Sequence, residues 1–370
     1  MRFNASGFLD IFKRYDFSFF GIAMAIFIVG ILNLYSATSG SPNMANLYKT
    51  QIAYFSVAMI VGMAVSFLGP KNYYRYSYMF YFFNIFLLVV VLVMGHKGMG
   101  AQRWLVIGPI RFQPSEVMKM SAVLCLARWW SKHDTDRELG IKELIIPFGI
   151  SFVPALLIIL EPDLGTGLLI LLIFFVMAFY RKLKWKTLMI IIAIGTISGA
   201  LMYQFGLKDY QRRRILTFID PTADARGSGY NAIQSKIAIG SGQFWGKGWT
   251  KSTQASLNYL PENHTDFVFS IFNEEHGFVG ALILISLYIL LFFRFLWLAS
   301  SVTRLFDAIV AVGLMSIFFW HTFINMGMVM GLMPVVGLPL PLMSYGGSSL
   351  VTFGICCGIA TSISNSRNLF

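Results

Sequence analysis

Residues 261–266 read PENHTD, which places two carboxylates, an amide, an imidazole and a hydroxyl within six positions. Side chains of these types move protons and bind polar ligands. Asp266 is the candidate general base. An aspartate here is equally a favoured helix N-cap, because a long apolar run follows it, and a capping carboxylate still has lone pairs to offer. Asp266, Ser270 and Asn273 recur at i, i+4 and i+7, one face of a helix, with Glu274 flanking. Such a stripe suits the wall of a hydrated groove. His264 is read either as a substrate contact or as a local hydrogen-bonding group. Neither it nor His276 has a third ligand at zinc spacing.

Three other groupings carry chemistry. Glu116 and Lys119, at i and i+3 just after Pro114, form a pair that is expensive inside a membrane and therefore faces a bundle interior or a watery cavity. Arg103, Arg111, Arg212, Arg213, Arg214 and Lys236, backed by Lys247 and Lys251, make an anion-facing set suited to phosphate oxygens. In EPDLGTG (161–167), Glu161 and Asp163 are weak candidates to help hold Mg²⁺ or Mn²⁺. The competing reading is a tight turn with Asp163 capping the next helix. PLPLMSYGGSS (339–349) reads as a rigid loop with glycines for close helix approach.

The elements that must position these groups are membrane helices. The 370 residues are 56% hydrophobic and 12% charged, about half the charge of an ordinary soluble domain. Runs long enough to cross a bilayer recur without strand-like alternation, so the fold class is an all-α polytopic membrane protein. Ten spans are expected, near 17–37, 50–68, 73–95, 114–130, 142–160, 164–180, 185–204, 266–297, 306–330 and 344–365. The first is read as retained, not a cleaved signal. The chain is read as one integral membrane domain, 1–370, with a large extracytoplasmic loop, 205–265, between spans 7 and 8, ordered against the bundle.

Placing both termini in the cytoplasm puts sixteen of the 29 Lys and Arg residues inside, four of them in RKLKWK (181–186), and twelve outside, mostly in the long loop that hardly counts. Asp266 then faces the extracytoplasmic side. The net charge of +12 is explained by this topology, without nucleic acid as a partner. Cys125, Cys356 and Cys357 all fall within spans, which excludes a disulfide scaffold.

The stretches AQRWL (101–105), RFQPSEVMK (111–119), EPDLGTG, DYQRRRILTFIDP (209–221), GYNAIQSKIAIGSGQFWGKGW (229–249), LPENHTDFVF (260–269) and VVGLPLPLMSYGGSS (335–349) occur in this order. Together they resemble the SEDS (shape, elongation, division and sporulation) family, in its elongation branch. The resemblance implies a peptidoglycan glycosyltransferase of the bacterial inner membrane that polymerises lipid II. It further implies an inverting transfer at the outer face, Asp266 as catalytic residue and Glu116–Lys119 as its support. A divalent cation, membrane lipid and a class B penicillin-binding protein as transpeptidase partner are implied with it. A lipid II flippase and a non-catalytic scaffold are the competing functions. Few charges lie deep in the spans, which disfavours a flipping path.

Overall fold

The computed structural model describes residues 15–40, 44, 46–98, 101–108, 110–133, 138–206, 212, 216–221, 228–257 and 259–367. Arg213 and Arg214 lie outside these. Twelve named helices occur among the described residues. Helices α1 (Ser18–Ser39), α2 (Leu47–Ser66) and α3 (Pro70–Met94) lead into a small antiparallel sheet, β1 (His96–Gly98), β2 (Ala101–Ile107) and β3 (Ile110–Phe112). Then come α4 (Pro114–Lys132), α5 (Ile141–Leu160), α6 (Leu164–Tyr180) and α7 (Trp185–Leu201). The segment after α7 holds α8 (Ser228–Ser241) and the single turn α9 (Thr253–Ser256), before α10 (Val268–Ser301), α11 (Leu305–Val329) and α12 (Gly347–Arg367) close the chain.

Among the described residues, eight helices are long and apolar enough to cross a membrane. The shorter α6 and the charge-bearing α4 complete the ten expected spans. Helix α4 starts at Pro114, whose missing N–H costs nothing in a first turn. It carries Glu116, Lys119, Arg128 and Lys132, yet most of its residues are buried by protein, Glu116 and Lys119 among them, while Lys132 in its last turn is exposed. Helices α2 and α12 approach through glycine: a methyl added at Gly354 would stand 2.4 Å from Ala58 O, and one at Gly358 2.1 Å from Gly62 O. Helix α7 is the opposite case, with Thr187 its single buried residue, so its apolar side chains face lipid on nearly all sides.

The 96–113 segment, expected to be a loop, is the sheet just named. Its branched run from Leu105 to Ile107 pairs antiparallel with β3, Trp104 pairs with His96 of β1, and Gly108 at φ 61° makes the turn between β2 and β3.

Helix α10 is broken at Gly277, whose φ of 63° and ψ of −161° are not helical. A break leaves backbone groups without helical partners, and at membrane depth these must be satisfied inside the protein. The 242–248 strip does this. Lys247 N and Gly248 N donate to Glu274 O and Glu275 O, both at 2.9 Å, while Phe278 N and Val279 N donate to Gln243 O and Phe244 O at 2.9 and 3.2 Å. The contact is so close that a methyl at Gly246 would fall 2.1 Å from Glu275 O. The glycines of GSGQFWGKGW thus buckle the segment between α7 and α10 onto the bundle.

Candidate active site

Asp266 stands at the end of a turn spanning 261–267 that is clamped through its backbone. Asn325 on α11 donates from Nδ2 both to Asp266 O (3.0 Å) and to Leu338 O (2.8 Å). Ser344 Oγ donates to Thr265 O at 2.6 Å, and Tyr345 N donates to His264 O at 2.9 Å. Asn263 is tied to Ala37 O on α1 at 3.4 Å. The Asp266 side chain remains partly exposed at the bundle surface. It is not the N-cap of α10: Phe267 holds that position, and no side chain caps it. The turn runs further than the apolar pattern suggested, which displaces the carboxylate from the helix start.

The loop 331–346 is the centre onto which the separate motifs converge. Gly337, at φ 71°, lies so near Asp266 that an added methyl would stand 3.2 Å from Oδ2. Gly165 at the start of α6 packs equally close to Val336, 3.1 Å from its carbonyl oxygen by the same measure. The loop's prolines bring no N–H groups to satisfy, and buried side chains serve its carbonyls. Gln51 Nε2 donates to Ser344 O at 2.8 Å, and Tyr288 OH donates to Pro341 O at 2.5 Å. The loop is rigid for these reasons, as its composition implied.

The Glu116–Lys119 pair forms, with 2.8 Å between Nζ and Oε1 and both residues buried. Lys119 Nζ also lies 2.6 Å from His321 Nε2, and His321 Nδ1 lies 3.2 Å from Pro339 O. An ammonium can only donate, so Nε2 accepts and the proton sits on Nδ1, donating to the carbonyl. A chain of buried polar contacts therefore runs from α4 through α11 to the loop beside Asp266. His321 was missed by sequence reasoning. An ionisable residue inside an apolar span was the available signal.

The polar stripe is not a groove wall. Ser270 is buried against Ser235 Oγ of α8 at 2.7 Å, and Asn273 Nδ2 donates to Phe269 O at 2.7 Å. Glu274 is fully buried, with Lys247 Nζ at 2.5 Å, Ser252 Oγ at 2.5 Å and Thr253 Oγ1 at 2.7 Å. Residues 235–253 cover this face, which helical spacing alone cannot foretell. His264 is held locally: Glu262 Oε2 is 4.0 Å from Nε2, and burial pushes its imidazole below the usual histidine range, towards the neutral form.

The candidate cations divide. Arg103 donates to Glu161 O at 3.4 Å and to Pro162 O, and its Nε lies 3.9 Å from Asp163 Oδ2, so it is committed to the EPDLG turn. Arg212 donates to Gln204 O at 2.8 Å. Arg111 is exposed, and its carbonyl accepts from Ser348 Oγ at 3.1 Å. Lys236 is exposed along a cleft with Thr217, Phe218, Pro334 and Val335, its stem lying over Gly331. Arg111 and Lys236 are the cations open at the edge of the loop.

Asp163 caps α6, accepting from Thr166 N (3.2 Å) and Thr166 Oγ1 (3.0 Å), and Gln113 Nε2 adds a contact at 3.5 Å. Glu161 is buried with neither carboxyl oxygen hydrogen-bonded. Burial, then the neighbouring Asp163 charge, raises it to about 8 against the pull of Arg103, which leaves it protonated at neutral pH. A spoken-for cap and a neutral acid do not fit a metal cage. No group of three or more His, Cys, Asp or Glu side chains converges for one among the described residues.

An acid-bearing turn clamped at one end of a bundle of membrane-length helices, with Arg111 and Lys236 exposed near its loop, belongs to a polytopic membrane protein. Residues 16–369 match the FtsW/RodA/SpoVE family, described as cell cycle protein, and the chain belongs to that family. It is 40% identical to the peptidoglycan glycosyltransferase MrdB of Escherichia coli over 348 residues, covering 94% of this chain and 93% of the relative. The Helicobacter pylori protein of the same name is 34% identical over 97% of this chain and 92% of its own. In a peptidoglycan synthase complex coordinating polymerization and crosslinking, a chain 32% identical superposes with a TM-score of 0.83, covering 95% of this chain and 98% of that one. The Thermus thermophilus rod shape determining protein RodA, 29% identical, gives 0.71 over 95% of this chain and 97% of that one. These are the elongation-type relatives the motifs indicated.

Proposed function

We propose that the chain is a peptidoglycan glycosyltransferase in which Asp266 is the general base for polymerising lipid II. The observation that carries this is a partly exposed carboxylate on a backbone locked by Asn325 and Ser344, beside a rigid loop flanked by Arg111 and Lys236. Asp266 takes the proton from the sugar 4-hydroxyl of one lipid II as that oxygen attacks the anomeric carbon of another. The new glycosidic bond forms with inversion as the bond to the diphosphate breaks, and the lipid diphosphate leaves with both electrons. A positioned base contributes typically 10²–10⁴-fold to such a step. Lys236 and Arg111 are the protein groups placed to receive charge on the departing diphosphate.

Any divalent cation arrives with the diphosphate, held by phosphate oxygens and water. The reaction face is extracytoplasmic and both termini are cytoplasmic, in the bacterial inner membrane. A class B penicillin-binding protein is the transpeptidase partner that would crosslink the glycan.

Purified chain in proteoliposomes with lipid II tests the reading. It predicts glycan chains from the chain itself or with its partner added. Movement of lipid II between leaflets without glycan would instead make it a flippase, and neither activity would leave it a scaffold. In the buried Glu116–Lys119–His321 network, Lys119 is committed to both of its partners, which gives a transport path no support.

A further inference from the structure

At the end of the bundle opposite Asp266, a cavity of about 400 Å³ lies between the start of α3, the end of α4 and the start of α11. Lys71, Tyr74, Ser131, Arg304, Phe306 and Asp307 line it. Its volume is far beyond the ~30 Å³ that one water occupies. Three features of different sign meet there. Lys71 and Arg304 are exposed at its rim, and neither makes a salt bridge among the described residues. Helix α11, 25 residues long, begins here with Arg304 at its N-cap and no side chain capping its first turn, so its N–H groups are available to an anion. Asp307, 4% exposed, lines the same cavity with Oδ1 unpartnered. Buried carboxylate oxygens are rarely left so, and one on a cavity-lining residue marks a missing donor.

We infer that this cavity is a binding site for a phospholipid headgroup bearing both a phosphate and a primary ammonium. The phosphate sits between Lys71, Arg304 and the α11 N-terminus, and the ammonium donates to Asp307 Oδ1. A purely anionic headgroup would leave the carboxylate unanswered and repel it. A quaternary ammonium has no N–H to give. Phe306, Leu305 and Tyr74 supply an apolar wall that suits the glycerol and upper acyl carbons, which favours a lipid over a soluble phosphoamine. The site lies in the cytoplasmic leaflet if the proposed orientation holds, but its existence does not depend on that reading.

Native mass spectrometry of the full-length protein, in detergent with equimolar phosphatidylethanolamine, phosphatidylglycerol and phosphatidylcholine of matched chains, tests it. One phosphatidylethanolamine is expected at about tenfold the occupancy of either competitor. Replacing Lys71 and Arg304 together by Ala should lower that retention about tenfold. Asp307→Asn should erase the preference over phosphatidylglycerol while a lipid stays bound. Equal retention of the three lipids, or the wild-type preference persisting in Asp307→Asn, overturns the inference. Displacement of the lipid by equimolar O-phosphoethanolamine does so too, by making the ligand a soluble phosphoamine. The rim residues are exposed, so the double variant keeps the test decisive should Asp307→Asn misfold.

Discussion

Lys119 answers two buried groups at once, the Glu116 carboxylate and His321 Nε2. Removing one partner of a buried pair strands the other, at roughly 3–5 kcal/mol. Lys119→Met should therefore lower the unfolding midpoint of the purified protein clearly, and should also reduce polymerisation, because His321 loses the contact that orients it toward Pro339. Retained activity at normal stability would detach this network from the site. Glu161 gives a prediction in pH. Its folded value of about 8 lies above the ordinary 4.5, so the folded state binds the extra proton between the two. Stability from this group is fully present below pH 4.5 and is lost as pH rises towards 8. Thermal melts from pH 5 to 8.5 should show a falling midpoint, and Glu161→Gln should flatten that slope. An identical slope in the variant would contradict the buried, neutral carboxyl.

At the scale of elements, the buckle between 242–248 and the broken α10 needs glycine on both sides. Gly246→Ala places a methyl against Glu275 O at a φ of 80°, and should cost at least the ~1–3 kcal/mol of a strained backbone residue. Gly240→Ala, with nothing within 4 Å of the new methyl, is the control and should melt like wild type. The spans were legible because twenty apolar residues in a row admit few other fates, and even α4 announced itself through Pro114. The break at Gly277 was not, because a helix break follows from a tertiary partner that the local sequence does not name. The stripe Ser270–Asn273–Glu274 teaches the same lesson. Spacing gave the correct face, but α8 and the Ser252–Thr253 turn decide that it meets protein instead of water. Likewise, residue types pointed to Arg103 as a phosphate ligand, while the fold spends it on the carbonyls of the EPDLG turn.

For the whole molecule, the proposed orientation puts Lys251 outside and Arg304 inside, and both positions are exposed. The native cysteines are all buried, so they give little background to labelling. In intact cells a membrane-impermeant maleimide should label Lys251→Cys and spare Arg304→Cys until the membrane is opened. The reverse pattern would put Asp266 on the cytoplasmic side, where the proposed glycan chemistry has no place. The convergence of separated motifs on one loop was visible in sequence only as co-occurrence. Asn325, Ser344 and Gly337 are what turn it into a place.

Asp266 as base is the centre of this account, and Asp266→Asn tests it most directly because the amide keeps the shape of the side chain but cannot accept the proton. In proteoliposomes with lipid II, the variant should insert, melt close to wild type and still bind lipid II. Its glycan synthesis should fall by at least the ~10²-fold that a general base contributes. Polymerisation at the wild-type rate would contradict the account.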